Sequence, residues 1–163
     1  MRCRGDYYAA ETMADWADKA EGMLHQKTID PYAALVGAYL LLRLGRFDLM
    51  RIWSRNLADW FPFLPDGCVI WALQAVRERK DSKEATKYLL EASKRGHPIF
   101  TEGLKLLSQG LRLIGEPGEK ALADLSQKTG RVLWSSPFTA VFEGQPASES
   151  APLTFAVDYM AVA

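Results

Sequence analysis

Reactive side chains are few in this chain: two histidines, His25 and His97, and two cysteines, Cys3 and Cys68. A cysteine attacks as its thiolate, so a nucleophile needs a base beside it, and Cys68 with His97 is the pair to weigh. Cys68 lies early in an apolar helical stretch, where a buried thiol is normally inert, and nothing in the local sequence joins it to His97. Cys3 and Cys68 stand far apart without a CxxC spacing, which suggests neither a disulfide framework nor a zinc site. Gly115-Glu116-Pro117-Gly118-Glu119-Lys120 has the glycines and lysine of a phosphate loop but not their spacing. It also carries two acids where phosphate would lie, so it reads as an ordinary loop. The carboxylates Glu11, Asp15 and Asp18 are helical neighbours on a polar face, which solvation explains. The expectation is a non-enzymatic chain without metal or cofactor; a hydrolase using Cys68 as nucleophile is the opposing reading.

The elements that carry these residues follow a period. Gly45, Lys80 and Gly115 mark polar or glycine breaks 35 residues apart, each between two apolar helical runs. A helix–turn–helix unit of this length is the mark of a tetratricopeptide-like (TPR-like) solenoid. Such units stack to bury their apolar faces and leave a surface for another protein. The predicted fold is therefore all-α, a helical-hairpin solenoid with a short β-prone C-terminal appendage.

Three regions result. Residues 1–29 form an N-terminal helix, capped by Asp6 and reaching about His25, with an apolar stripe through Ala9, Met13, Trp16, Ala20 and Leu24. Residues 30–131 hold the repeats. Asp30-Pro31 starts a nearly all-apolar helix to Leu44, and a second helix runs from Phe47 to about Trp60, where Phe61-Pro62 stops it. Helices then span about Gly67–Arg79, Ser82–Lys94, Pro98–Ile114 and Gly118–Lys128, with Ala85 and Ala92 at a close approach. Residues 132–163 change character: Phe138–Phe142 and Leu153–Val157 are β-prone, either as a hairpin or as a tail laid over the last helices.

With 163 residues, 48% hydrophobic and 25% charged, the chain has the size and composition of one folded domain. Twenty basic side chains balance twenty acidic ones, which argues against a nucleic-acid binder driven by bulk charge and leaves RNA or DNA binding through a local stripe of Arg43, Arg77 and Arg112 as a less favoured alternative. The longest apolar stretch, Ala33–Leu42, is far short of a membrane span, and no signal peptide is visible. A reducing cytoplasm fits the cysteine usage.

Superposing the three units sends one face of each first helix to the concave surface. That face holds Tyr39, Arg43, Gln74, Arg77, Lys105, Gln109 and Arg112, balanced by Glu78 and Glu102. Four of the seven are basic, which predicts a groove for an extended acidic peptide, since guanidinium groups bind carboxylates through paired hydrogen bonds. The terminal-carboxylate grip of chaperone-type repeats is not carried by Leu35, Tyr39, Ile70 and Gln74. Trp53, Trp60, Phe61, Phe63 and Trp71 form an aromatic cluster expected in the core, except Trp60, which ends its helix and is a candidate partner contact.

One stretch of sequence carries a resemblance: Asp30-Pro31-Tyr32-Ala33-Ala34-Leu35-Val36-Gly37-Ala38-Tyr39, Leu42-Arg43-Leu44-Gly45, Trp53-Ser54-Arg55-Asn56-Leu57-Ala58-Asp59-Trp60-Phe61-Pro62 and Leu64-Pro65-Asp66-Gly67. Pro98-Ile99-Phe100-Thr101-Glu102-Gly103-Leu104 and Pro137-Phe138-Thr139 continue it. From Asp30 to Phe142 the chain resembles a helical module at the C-terminal end of bacterial caspase-like and related protease-containing defence proteins. The resemblance implies that catalysis belongs to a separate domain. It also implies a regulatory or docking role toward a caspase-like protease. An alternative it implies is part of a protein substrate cut by a CRISPR-linked caspase-like protease.

Overall fold

A computed structural model describes the backbone over residues 3–129 and the side chains over residues 12–126. The regular elements of the described residues are all helices. The helices are α1 (Cys3–His25), α2 (Pro31–Leu44), α3 (Phe47–Met50), α4 (Trp53–Trp60), α5 (Pro65–Gln74), α6 (Ser82–Arg95), α7 (Thr101–Ile114) and α8 (Glu116–Thr129). A π-helical turn, Ala75–Arg79, continues α5. The β-prone segments expected within 132–163 lie outside the described residues.

Local chemistry accounts for the boundaries. The Asp30 carboxylate accepts from the amides of Tyr32 at 3.0 Å and Ala33 at 2.9 Å, Pro31 takes the first helical position, and Gly45 closes α2 at φ 68°. Asp81 caps α6 by accepting from the Glu84 amide at 2.9 Å. At the N-terminus the helix begins at Cys3, so Asp6 lies inside α1 rather than capping it.

The single helix expected over 47–60 is broken. Arg51 adopts φ 44°, ψ −126°, a conformation non-glycine residues rarely hold, and it divides the run into α3 and α4. Of the stretch 115–120, expected as a loop, only Gly115 lies between helices and 116–120 are helical. Gly115 ends α7 at φ 83°, its carbonyl accepts from the amides of Gly118 and Glu119, and Glu116 already opens α8.

Most helices pack on their successor: α1 on α2, α2 on α3, α4 on α5, α5 on α6, α6 on α7 and α7 on α8. Helices two steps apart also meet, with α1 on α3, α2 on α4, α5 on α7 and α6 on α8, and α2 reaches α5 as well. The α1–α2 approach depends on Gly37, where a Cβ would stand 2.5 Å from the Ala20 carbonyl oxygen and 2.9 Å from Met23 Cβ. Two adjoining cores result. One gathers Leu24, Leu35, Leu41, Met50, Leu57 and Ile70; the other gathers Trp71, Leu89, Ala92, Leu104, Leu107 and Leu111. Ala85 and Ala92 are buried between helices, as their spacing predicts.

Candidate functional site

The seven residues predicted for one concave face divide in two. Arg43, Arg77, Lys105, Gln109 and Arg112 are exposed. Tyr39 and Gln74 are wholly buried, and this corrects the register at those two positions. The reason is polar partnership inside the fold. The Tyr39 hydroxyl donates to Asp66 Oδ1 at 2.8 Å. Gln74 accepts at Oε1 from the Ser54 hydroxyl, and its Nε2 donates to the Arg51 carbonyl at 2.9 Å and to Glu78 Oε2 at 2.8 Å. A buried polar group requires such partners, and Tyr39 and Gln74 find theirs inward rather than in solvent.

Lys105, Gln109 and Arg112 lie along α7 at helical spacing, with Glu102 at the start of the stripe. The stripe is about 15 Å long by the rise of an α-helix. Leu104, Leu107 and Leu111 occupy the opposite face of α7 and are fully buried, which holds the polar stripe outward. Arg43 reaches from α2 to Glu102, with Nε 3.3 Å from Oε1, so α2 and α7 contribute to one surface. Glu102 is itself buried at 7% exposure, leaving Lys105 and Arg112 as charges without an ion pair among the described residues. Leu113, on the same face, is 88% exposed and adds an apolar contact that charge patterning missed.

Asp66 is the central buried polar group. Besides the Tyr39 hydroxyl, it accepts from the amides of Ile99 at 2.7 Å and Phe100 at 3.3 Å, the two residues that lead into α7. Burial pushes its carboxyl up to about 6, against the pull of these donors. Burial and the neighbouring Asp66 likewise hold the Tyr39 phenol well above its ordinary value. Gly103 completes the packing, since a Cβ there would strike the Tyr39 hydroxyl and come within 2.7 Å of Asp66 Oδ1. A lone carboxylate in the apolar run Phe63-Leu64-Pro65-Asp66-Gly67-Cys68-Val69 was the available signal for this group.

Of the aromatic cluster, Trp71 is fully buried, Trp53 partly so, and Trp60 is 54% exposed. Phe63 is also exposed, contrary to its expected place in the core. Lys27, from the α1–α2 turn, sets its ammonium 3.9 Å from the Trp53 ring and 5.3 Å from the Trp60 ring. Its burial lowers the ammonium's pKa. This cation–π contact ties the turn to α4.

The Cys68 thiol is buried in α5, and burial pushes it up to about 12, so almost no thiolate exists at neutral pH. That is the setting of a structural cysteine rather than a nucleophile. His97 contacts the Pro98 carbonyl through Nδ1 at 3.1 Å. Asp15 and Asp18 are exposed on α1. Among the described residues, no three His, Cys, Asp or Glu side chains gather as a metal site, and no helix is long and apolar enough to cross a membrane.

A family model described as the Y4kD C-terminal domain matches residues 2–158. The chain belongs to that family. A protein named as a probable protease from a Desulfuromonadales bacterium is 35% identical to this Y4kD C-terminal domain over 135 residues, or 81% of the chain. The same alignment covers 16% of that protein, so the domain spans about a sixth of its relative's length. No solved structure matches. At this level the findings agree with the C-terminal, protease-associated module implied by the resemblance over Asp30–Phe142.

Proposed function

We propose that this Y4kD C-terminal domain is a protein-binding module serving a protease-containing protein, as a part of it or as its partner. It takes an extended acidic segment on the α7 face. The observation that carries this reading is the outward stripe of Lys105, Gln109 and Arg112 backed by buried Leu104, Leu107 and Leu111. Arg43 extends the basic surface at the α2 end, Arg77 in the π-turn adds a further exposed cation, and Leu113 offers an apolar contact. Charges so placed steer an acidic partner and fix its register more than they add raw affinity. Contacts between successive helices, and between helices two steps apart, support a stacked TPR-like arrangement behind this face. The relative's printed name supports the protease association.

The test is affinity capture with the domain as bait, comparing wild type with a Lys105→Glu, Arg112→Glu variant of equal thermal stability. Recovery of a protease-containing protein by wild type and its loss in the variant is the expected result. Equal recovery by both baits would rule out the α7 face as the contact.

A further inference from the structure

A second recess lies on the other side of α7. α6 and α8 meet α7 through Gly110, Leu111 and Ile114, on the half of the helix turned away from Lys105 and Arg112. Between α6 and α8 is a half-enclosed cavity of about 440 Å³. That volume falls within the range of pockets that hold a ligand group. Leu90, Ala121 and Leu125 give it an apolar floor, with exposed Pro117 at its edge.

The mouth is cationic. Lys94 from α6 and Lys120 from α8 face the cavity from opposite walls, and both side chains are exposed. Among the described residues, neither ammonium lies within ion-pair distance of a carboxylate. Ser93, also at the mouth, gives its proton to the Leu90 carbonyl at 2.8 Å, and His97, which lines the cavity too, contacts the Pro98 carbonyl through Nδ1, so the two ammoniums are the strongest donors there. Asp124 stands on the same rim and offsets one positive charge. The local field therefore suits a single carboxylate rather than a polyanion. Because the cavity is only half-enclosed, a chain can cross it while one side chain enters.

We propose that the α6–α8 cleft binds an extended protein segment in which one aliphatic side chain stands next to one acidic side chain. The aliphatic group fills the floor formed by Leu90, Ala121 and Leu125, and its carboxylate neighbour meets Lys94 and Lys120. This inference rests on the reading of the domain as a protein-binding module, but it uses a different surface from the α7 stripe.

The test is a chemical-shift titration of the isotope-labelled chain with the capped hexapeptide Ser-Gly-Leu-Glu-Gly-Ser. Two relatives serve as controls, one with serine for leucine and one with glutamine for glutamate. The expected result is saturable shifts confined to α6 from Leu90 onward and α8 from Pro117 to Leu125. The serine peptide should not bind, and the glutamine peptide should bind about fivefold more weakly. A Lys94→Gln, Lys120→Gln variant changes only exposed side chains, so it should melt as wild type does and show the same weakening. Equal binding of all three peptides, or no shifts at millimolar peptide, would overturn the assignment. Shifts on Lys105 to Arg112 instead would also overturn the cleft while leaving the α7 reading in place.

Discussion

Asp66 shows how one side chain can make three helices interdependent. Its carboxyl group links α5 to Tyr39 of α2 and to the two amides that precede α7. Desolvation outweighs these hydrogen bonds, and the folded-state value rises from 3.8 to about 6. The sign follows from linkage. A group whose folded pKa is raised contributes stability that is fully present below the unfolded value and is lost as pH rises through about 6. The full shift corresponds to about 3 kcal/mol, of which about 2 kcal/mol is lost between pH 4 and pH 7. Asp66→Asn removes the titration and misplaces an amide donor against an N–H group. Wild type should therefore gain stability over Asp66→Asn as the solution is acidified from pH 7 to pH 4. Urea unfolding of both proteins across that interval checks it, and parallel pH profiles would contradict it.

At the scale of elements, the legible features were those with local causes. Asp30-Pro31 announced α2, and the alternation of apolar runs with breaks located the later helices to within a few residues. The break at Arg51 had no such announcement, because neither glycine nor proline stands there. It depends on Gln74, whose amide holds the Arg51 carbonyl from another helix, and backbone strain of this kind persists only when its surroundings enforce it. Tyr39 and Gln74 were misassigned for the same reason. Periodicity identifies the polar positions of a helix, but a polar residue turns inward when a distant partner awaits it, and Asp66 and Ser54 lie in other elements. The exposed part of the α7 stripe was legible because the leucines opposite it define the buried face. Gly103 gives this scale its prediction. Gly103→Ala should destabilise the domain by about 1–3 kcal/mol through overpacking against Tyr39, Asp66 and Pro98. An unchanged urea midpoint would mean that α7 has room to shift.

At the scale of the molecule, the helices stack so that each buries apolar surface against its neighbours in sequence, in two adjoining cores. That arrangement leaves the polar stripe of α7 outward and the α6–α8 cleft open at a separate place. Equal numbers of acidic and basic residues give no net charge, so any attraction for an acidic segment must come from local placement. Membership of the Y4kD C-terminal domain family and the protease-named relative give the module its context. The most direct measurement is fluorescence anisotropy with a labelled peptide of alternating glutamate and serine, which lacks the aliphatic group required by the cleft. Wild type should bind it, and binding should weaken as salt screens the contact. The Lys105→Glu, Arg112→Glu variant should lose about tenfold in affinity or more. Equal affinity of the two proteins, or no binding by wild type at low salt, would contradict an acidic-segment site on α7.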